Sequence, residues 1–182
     1  MAEQHSPDSE RSRLGDAYER VLARLKEGSG ELSWESFQRE LDEAVAFESE
    51  FEEFTKDEAA LLRAWVERDM RDFRQFLAKG GEGVAAWLGI DLGVLSRRVS
   101  DALFSIADRT AIDRERFDDD LEAARADYTA GEVALPGRMS CVHCGAGVML
   151  DHVARLEACH ACGHRYFQRA SGSNGEASSP SS

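Results

Sequence analysis

The chain has 182 residues, 42% of them hydrophobic and 8% aromatic, which suits one or two packed domains and excludes a disordered chain. Its formal net charge is −13, and residues 1–131 hold all of that excess, while 132–182 balance at zero. An acidic body repels phosphate backbones, so nucleic acid is an unfavoured partner, and a basic partner protein is compatible with that body.

No apolar run approaches the ~20 residues that cross a bilayer. The opening, MAEQHSPDSERSRLG, lacks the apolar centre of a signal peptide. These features predict a cytoplasmic protein with no membrane insertion.

Residues 1–8 are expected to form a flexible N-terminus and 9–131 an acidic helical domain. Pro7, Pro136 and Pro180 are the only prolines, and glycines cluster at a few points between the first two, as in long helices separated by breaks. The first helix, about 9–27, places Leu14, Tyr18, Val21, Leu22 and Leu25 on one face. The second opens at LSWESF, where Ser33 is a good N-cap and Leu32 with Phe37 has the spacing of a hydrophobic staple. Trp34, Phe37, Leu41, Val45 and Phe51 continue its stripe. The third opens at TKDE, where Thr55 and Glu58 make a capping-box pattern. Leu62, Val66, Met70, Phe73 and Leu77 follow at helical spacing.

After the glycine-rich joint KGGEGVAAWLGIDLG, a last long helix is expected from about 92 to 130. Leu92, Leu95, Val99, Ala102 and Ile106 step by three and four, like a coiled-coil seam. Phe117, Leu121, Ala124 and Tyr128 resume the stripe. Stripes of bulky residues at such spacing are read as core, not as a cofactor site. ESEFEEF is read as a solvated helix face, because it lacks the Glu-x-x-His spacing of di-iron bundles. The capped helices predict a body that folds without the rest of the chain. The narrow seam at 92–106 predicts a possible homodimer.

GEVALPG ends the helical region. All four cysteines follow, in CVHCGAGVMLDHVARLEACHACGHRYF. Cys141/Cys144 and Cys159/Cys162 are two Cys-x-x-Cys pairs, each with a glycine directly after it. Such a turn delivers two thiolates from one tight loop, and two of them complete a tetrahedral zinc site. Glycine after the second cysteine permits the left-handed backbone of the knuckle. The reading is one structural Zn²⁺ held by Cys141, Cys144, Cys159 and Cys162 in a small β zinc ribbon over 132–170. Residues 171–182, rich in serine and glycine, form a disordered tail. His143, His152, His160 and His164 are alternative ligands, read as exposed knuckle or strand residues because four thiols already close the shell. A thioredoxin-like redox site would have a single pair in a βαβ setting. The arginines at 138, 155, 165 and 169 outnumber Asp151 and Glu157, but four thiolates on Zn²⁺ cancel that excess.

The stretches FTKDEAALLRAWVERDMRDF, DYTAGEVALPGRMSCVHCG and CHACGHRYFQR resemble the bacterial zinc-ribbon-containing proteins of unknown function, the YbeL-like family. The resemblance covers most of the chain. It implies helices, then a Tyr-x-x-Gly-Glu turn at Tyr128, Gly131 and Glu132, then a ribbon. It carries the family's metal positions to the same four cysteines and implies no activity.

The sequence thus predicts a mainly α protein, a long-helix hairpin or bundle followed by a C-terminal ribbon. It has no phosphate loop, no His-Glu-x-x-His and no nucleophile elbow. The expected function is non-enzymatic, a scaffold that binds an unidentified protein partner. The alternatives are a nucleic-acid-associated regulator docking through the ribbon and a thiol redox protein.

Overall fold

A computed structural model describes residues 7–110 and 128–170, with side chains from residue 13 onward. Three long helices open the chain: α1 (Pro7–Glu27), α2 (Trp34–Phe51) and α3 (Lys56–Ala78). Their starts follow from their caps. Ser33 Oγ accepts from Ser36 N–H at 3.2 Å, and buried Leu32 and Phe37 bracket that cap. Thr55 and Glu58 close a reciprocal capping box at the head of α3. No helix among the described residues is long and apolar enough to cross a membrane.

The glycine-rich joint folds into a single-turn helix, α4 (Val84–Leu88), and a 3-10 turn at Leu92–Val94. It drives Val84, Trp87 and Leu88 into the core. Helix α5 (Arg97–Arg109) follows, capped by Ser96. Helix α1 lies at the centre and touches α2, α3 and α5. Leu14, Ala17, Tyr18, Val21, Leu22 and Leu25 are therefore all buried. Arg109 closes the far end, donating to Leu25 O, Gly30 O and the Glu40 carboxylate.

Two sequence expectations change here. Helix α5 covers less than the stretch expected from about 92 to 130: it starts at Arg97 and ends at Arg109. Tyr128, placed on its stripe, is in a strand instead. Phe117, Leu121 and Ala124 lie outside the described residues, as does the tail 171–182. The seam is also filled from within. Val99, Ala102 and Ile106 face the core of their own chain, largely against α1. Leu92 of that seam is partly buried, and Phe104, which lies off it, is exposed.

The C-terminal part is β. Strands β1 (Tyr128–Thr129), β3 (Gly137–Cys141), β4 (Gly147–Leu150) and β6 (Tyr166–Arg169) form an antiparallel sheet in the order β1-β6-β3-β4. Strands β2 (Val133–Ala134) and β5 (Ala154–Arg155) make a second, two-stranded sheet. Alternation along β6 turns Phe167 and Arg169 inward and Tyr166 and Gln168 outward. The sheet thus begins at Tyr128, four residues before the start assigned to the ribbon from sequence. The helical core also takes in Val133, Leu135 and Val153 from this part.

A buried polar cluster locks the two parts together. Asp69 stands on the apolar stripe of α3, fully buried. Its carboxylate accepts from the Tyr18 hydroxyl, from Leu135 N–H at 3.0 Å and from the Arg68 guanidinium at 3.1 Å. One turn on, Asp72 accepts from Trp87 Nε1 at 3.2 Å and from the Tyr128 hydroxyl at 2.9 Å. Arg169, buried on β6, lies 3.4 Å from Asp72 and 4.0 Å from Asp69. It donates to Pro136 O at 2.9 Å and to Leu135 O at 3.3 Å. The Trp87 and Tyr128 rings flank its guanidinium at 4.7 and 5.2 Å. Burial pushes the Asp72 carboxyl up; Arg169 and Tyr128 oppose that shift. Gly137 is required beside this cluster. Its φ is +139°, and a Cβ there would meet Arg169 Nη1 at 2.4 Å and Leu88 O at 2.6 Å.

Removing one partner of a buried pair strands the other charge. Arg169→Met should destabilise the whole chain by about 3–5 kcal/mol in chemical denaturation. The exposed pair of Arg63 with Asp42 should contribute no more than about 1 kcal/mol. An Arg169→Met loss no larger than that would sink the account of the cluster.

The same cluster bears directly on the expectation that the helical body folds without the ribbon. A chain ending at Gly131 leaves Asp69 without Leu135 N–H and Arg169, and removes Val133, Leu135 and Val153 from the core. It should lose its cooperative thermal transition. A sharp transition with full helical circular dichroism would show that the helices need nothing from the ribbon.

Candidate metal centre

The four cysteines sit on two turns of the same construction. In the first, Cys141 ends β3; its N–H donates to Ala146 O at 2.9 Å, and its C=O accepts from Gly145 N–H at 2.9 Å. In the second, Cys159 N–H donates to His164 O at 2.9 Å, and its C=O accepts from Gly163 N–H at 2.8 Å. Gly145 and Gly163 have φ of +74° and +73°. A side chain in that region crowds the following carbonyl, so glycine is the residue that lets each turn close.

These turns face each other across the ribbon. Cys141 Sγ lies 3.7 Å from Cys162 Sγ, and Cys144 Sγ lies 3.7 Å from Cys159 Sγ. All four sulfurs fall within 4.8 Å of one another. A regular tetrahedron of Zn–S bonds of ~2.3 Å has S···S edges of about 3.8 Å, so the donor set fits a Zn²⁺ ion. The first cysteine of each turn is buried and the second exposed. The site is thus anchored in the ribbon core and open at its tip.

The electrostatics point the same way. Backbone N–H groups at Ala161 and Cys162 hold the Cys159 thiol down at about 6. The His164 amide favours the Cys162 thiolate, but burial and the neighbouring thiols outweigh it and push Cys162 up to about 12. Four sulfurs this close cannot all be thiolates unless a cation sits among them.

No histidine joins the sulfur cluster among the described residues. His143 stacks on His164 at 5.1 Å, and His164 meets the Tyr166 ring edge-on at 5.6 Å. His152 sits at the β4–β5 turn against Asp151. His160 is exposed on the second knuckle.

Helices followed by a ribbon with two opposed cysteine knuckles have a match among family models. The DUF1451 zinc-ribbon containing domain covers residues 25–171. The chain belongs to this family. Its zinc-ribbon domain and its four clustered cysteines make it a zinc-binding structural domain. Comparison with curated proteins and with solved structures gives no match.

Sequence reasoning located all four thiols and missed the cluster that seats them. One signal was available. Asp69 falls three residues after Val66 and four after Trp65, on the buried face of α3, where an unpaired charge has no place.

The knuckle geometry generates a test. Gly145→Ala forces a side chain into the left-handed region, at about 1–2 kcal/mol. Competition with a chromophoric chelator should show zinc binding weakened by roughly tenfold. His143→Ala should leave binding unchanged. A tenfold loss with His143→Ala instead would make that histidine a ligand.

Proposed function

We propose that this protein is a non-enzymatic scaffold whose helical body presents a structural zinc ribbon for docking by a protein partner. The observation that carries this reading is the seating of the ribbon. Arg169, Tyr128 and the Leu135 amide fix its inner side on Asp69 and Asp72, while Val142, Met149 and Tyr166 on the ribbon stay half-exposed. A rigid mount behind an accessible face is what a docking module needs.

The proposed metal content is one Zn²⁺ per chain on Cys141, Cys144, Cys159 and Cys162. Four thiolates complete a tetrahedral shell, which leaves no open position for water or substrate, so the zinc would be structural. Thiol exchange would first have to expel the ion, and this supports docking over redox catalysis. The acidic body argues against nucleic acid as the partner. We place the protein in the cytoplasm, where clustered thiols stay reduced and metal-bound.

Elemental analysis of protein purified without added metal should give one zinc per chain. Zinc near zero, or an iron–sulfur absorption spectrum, would overturn the assignment. Tagged protein should retain partners from its native cell when zinc-loaded and release them with chelator. If no partner depends on zinc, the ribbon is not the docking module.

A further inference from the structure

Strand β4 is a free edge of the four-stranded sheet, with β3 on one side only. The bond from Cys141 N–H to Ala146 O sets the phase of that ladder. By antiparallel alternation, Met139/Val148 and Gly137/Leu150 are then the hydrogen-bonded pairs, and Ser140/Gly147 and Arg138/Met149 are not. The other side of β3 agrees. Val142 N–H donates to Tyr166 O at 3.1 Å, and Ala170 N–H donates to Arg138 O at 2.9 Å, both towards β6. The N–H and C=O groups of Gly147 and Met149 therefore point out of the sheet. Among the described residues no backbone hydrogen bond meets them.

Natural edge strands are blunted by charge, proline, a bulge or a covering element. Gly147-Val148-Met149-Leu150 carries no charge and no proline, and its register with β3 has no skipped residue. Among the described residues, only its shortness limits it.

The two faces beside this edge differ. Inward lie Val148 and Leu150, at the margin of the ribbon core. Outward lies Met149, 50% exposed, directly opposite Arg138. The other outward residues of the sheet are Thr129, Ser140, Gly147, Tyr166 and Gln168, none of them acidic, and the chain's acidic excess lies in residues 1–131. The carboxylate nearest in sequence, Asp151, lies past the end of the strand and bonds to His152.

We propose that β4 accepts an extended segment of a partner protein as a fifth strand, and that this segment alternates acidic with apolar side chains. Its backbone would pair with Gly147 and Met149. Its apolar side chains would extend the ribbon core beside Val148 and Leu150. Its carboxylates would lie outward beside Met149. Arg138 stands two strand spacings away, about 10 Å, a gap that an arginine and a glutamate side chain span together. A second copy of this chain fits poorly: so short an edge buries far less than the ~1,200 Å² of a stable interface. Nucleic acid lacks the amide and carbonyl ladder that the edge requires.

The inference rests on the ribbon being a docking module, and its test separates the two. Isotope-labelled, zinc-loaded full-length protein is titrated with a short synthetic peptide alternating glutamate and valine. Amide shifts should centre on Gly147 and Met149. A lysine–valine peptide should bind at least about tenfold more weakly. Met149→Pro removes an edge-facing N–H and leaves the β3 ladder intact, so binding should vanish with zinc content unchanged, while Met149→Ala should still bind. Arg138→Glu, at an exposed site, should reverse the preference between the two peptides, and it decides the matter if Met149→Pro loses zinc. No shifts on β4, or unchanged preference in Arg138→Glu, would overturn the inference. So would tighter binding of oligothymidylate at the same amides, or a concentration-dependent dimer through β4. Zinc-dependent partner capture that survives Met149→Pro would also overturn it, and would leave the docking reading standing.

Discussion

Asp69 is a carboxylate in the middle of a helical core, and its neighbours follow from that position. Tyr18 from α1 and Arg68 from its own helix satisfy part of its hydrogen-bonding capacity. Leu135 N–H supplies a further bond, and it belongs to the β part of the chain. Arg169 brings the compensating charge from the last strand. The ribbon docked in this orientation therefore completes the partners of Asp69. Net stabilisation by such a cluster is modest, because desolvating the charges offsets much of their attraction. A docking that took Leu135 and Arg169 away would leave Asp69 with Tyr18 and Arg68 alone.

The ribbon needs that support. Residues 128–170 bury a core of only nine side chains, among them two of the metal-site cysteines. A segment of this size cannot outweigh its conformational entropy by apolar burial alone. Zinc ligation ties its tip, where β3 and the second knuckle meet. The polar cluster ties its base, where β1, β3 and β6 meet α3 and α4. Strand β6 joins the two ties: it starts four residues after Cys162 of the second knuckle and ends at Arg169. Order at the metal and order at the helix interface are thus linked through one short strand.

Local signals in the sequence located most of what is local in the structure. The caps at Ser33 and Thr55, the stripes of α1 to α3 and the two cysteine knuckles each depend on residues within a few positions of one another. What stayed hidden is non-local. Tyr128 continues a helical stripe by spacing, yet it pairs with Phe167 almost forty positions later. The seam of α5 suited burial within the chain as well as a second copy, and nothing in its own pattern says that α1 lies against it. Trp87 sits in a glycine-rich joint that reads as a linker, and only its contact with Asp72 and Arg169 gives it a place in the core. The clearest missed sign was a charge on an apolar stripe, which asks for a partner without saying where it is.

The three stretches that carry the family resemblance gain a physical meaning from this arrangement. They contain the four thiols, and they also contain Arg68, Asp69, Asp72, Tyr128, Glu132, Gly137 and Arg169. Arg68 spans the junction as well, donating to Val133 O at 2.7 Å and pairing with Glu132, whose carboxylate also accepts from Thr129 N–H. In this chain these stretches hold the junction between helix and ribbon together with the metal knuckles. Strand β4 lies between two of these stretches and in neither. Pairing along a strand edge runs through backbone groups, so it places few demands on the side chains of such a strand.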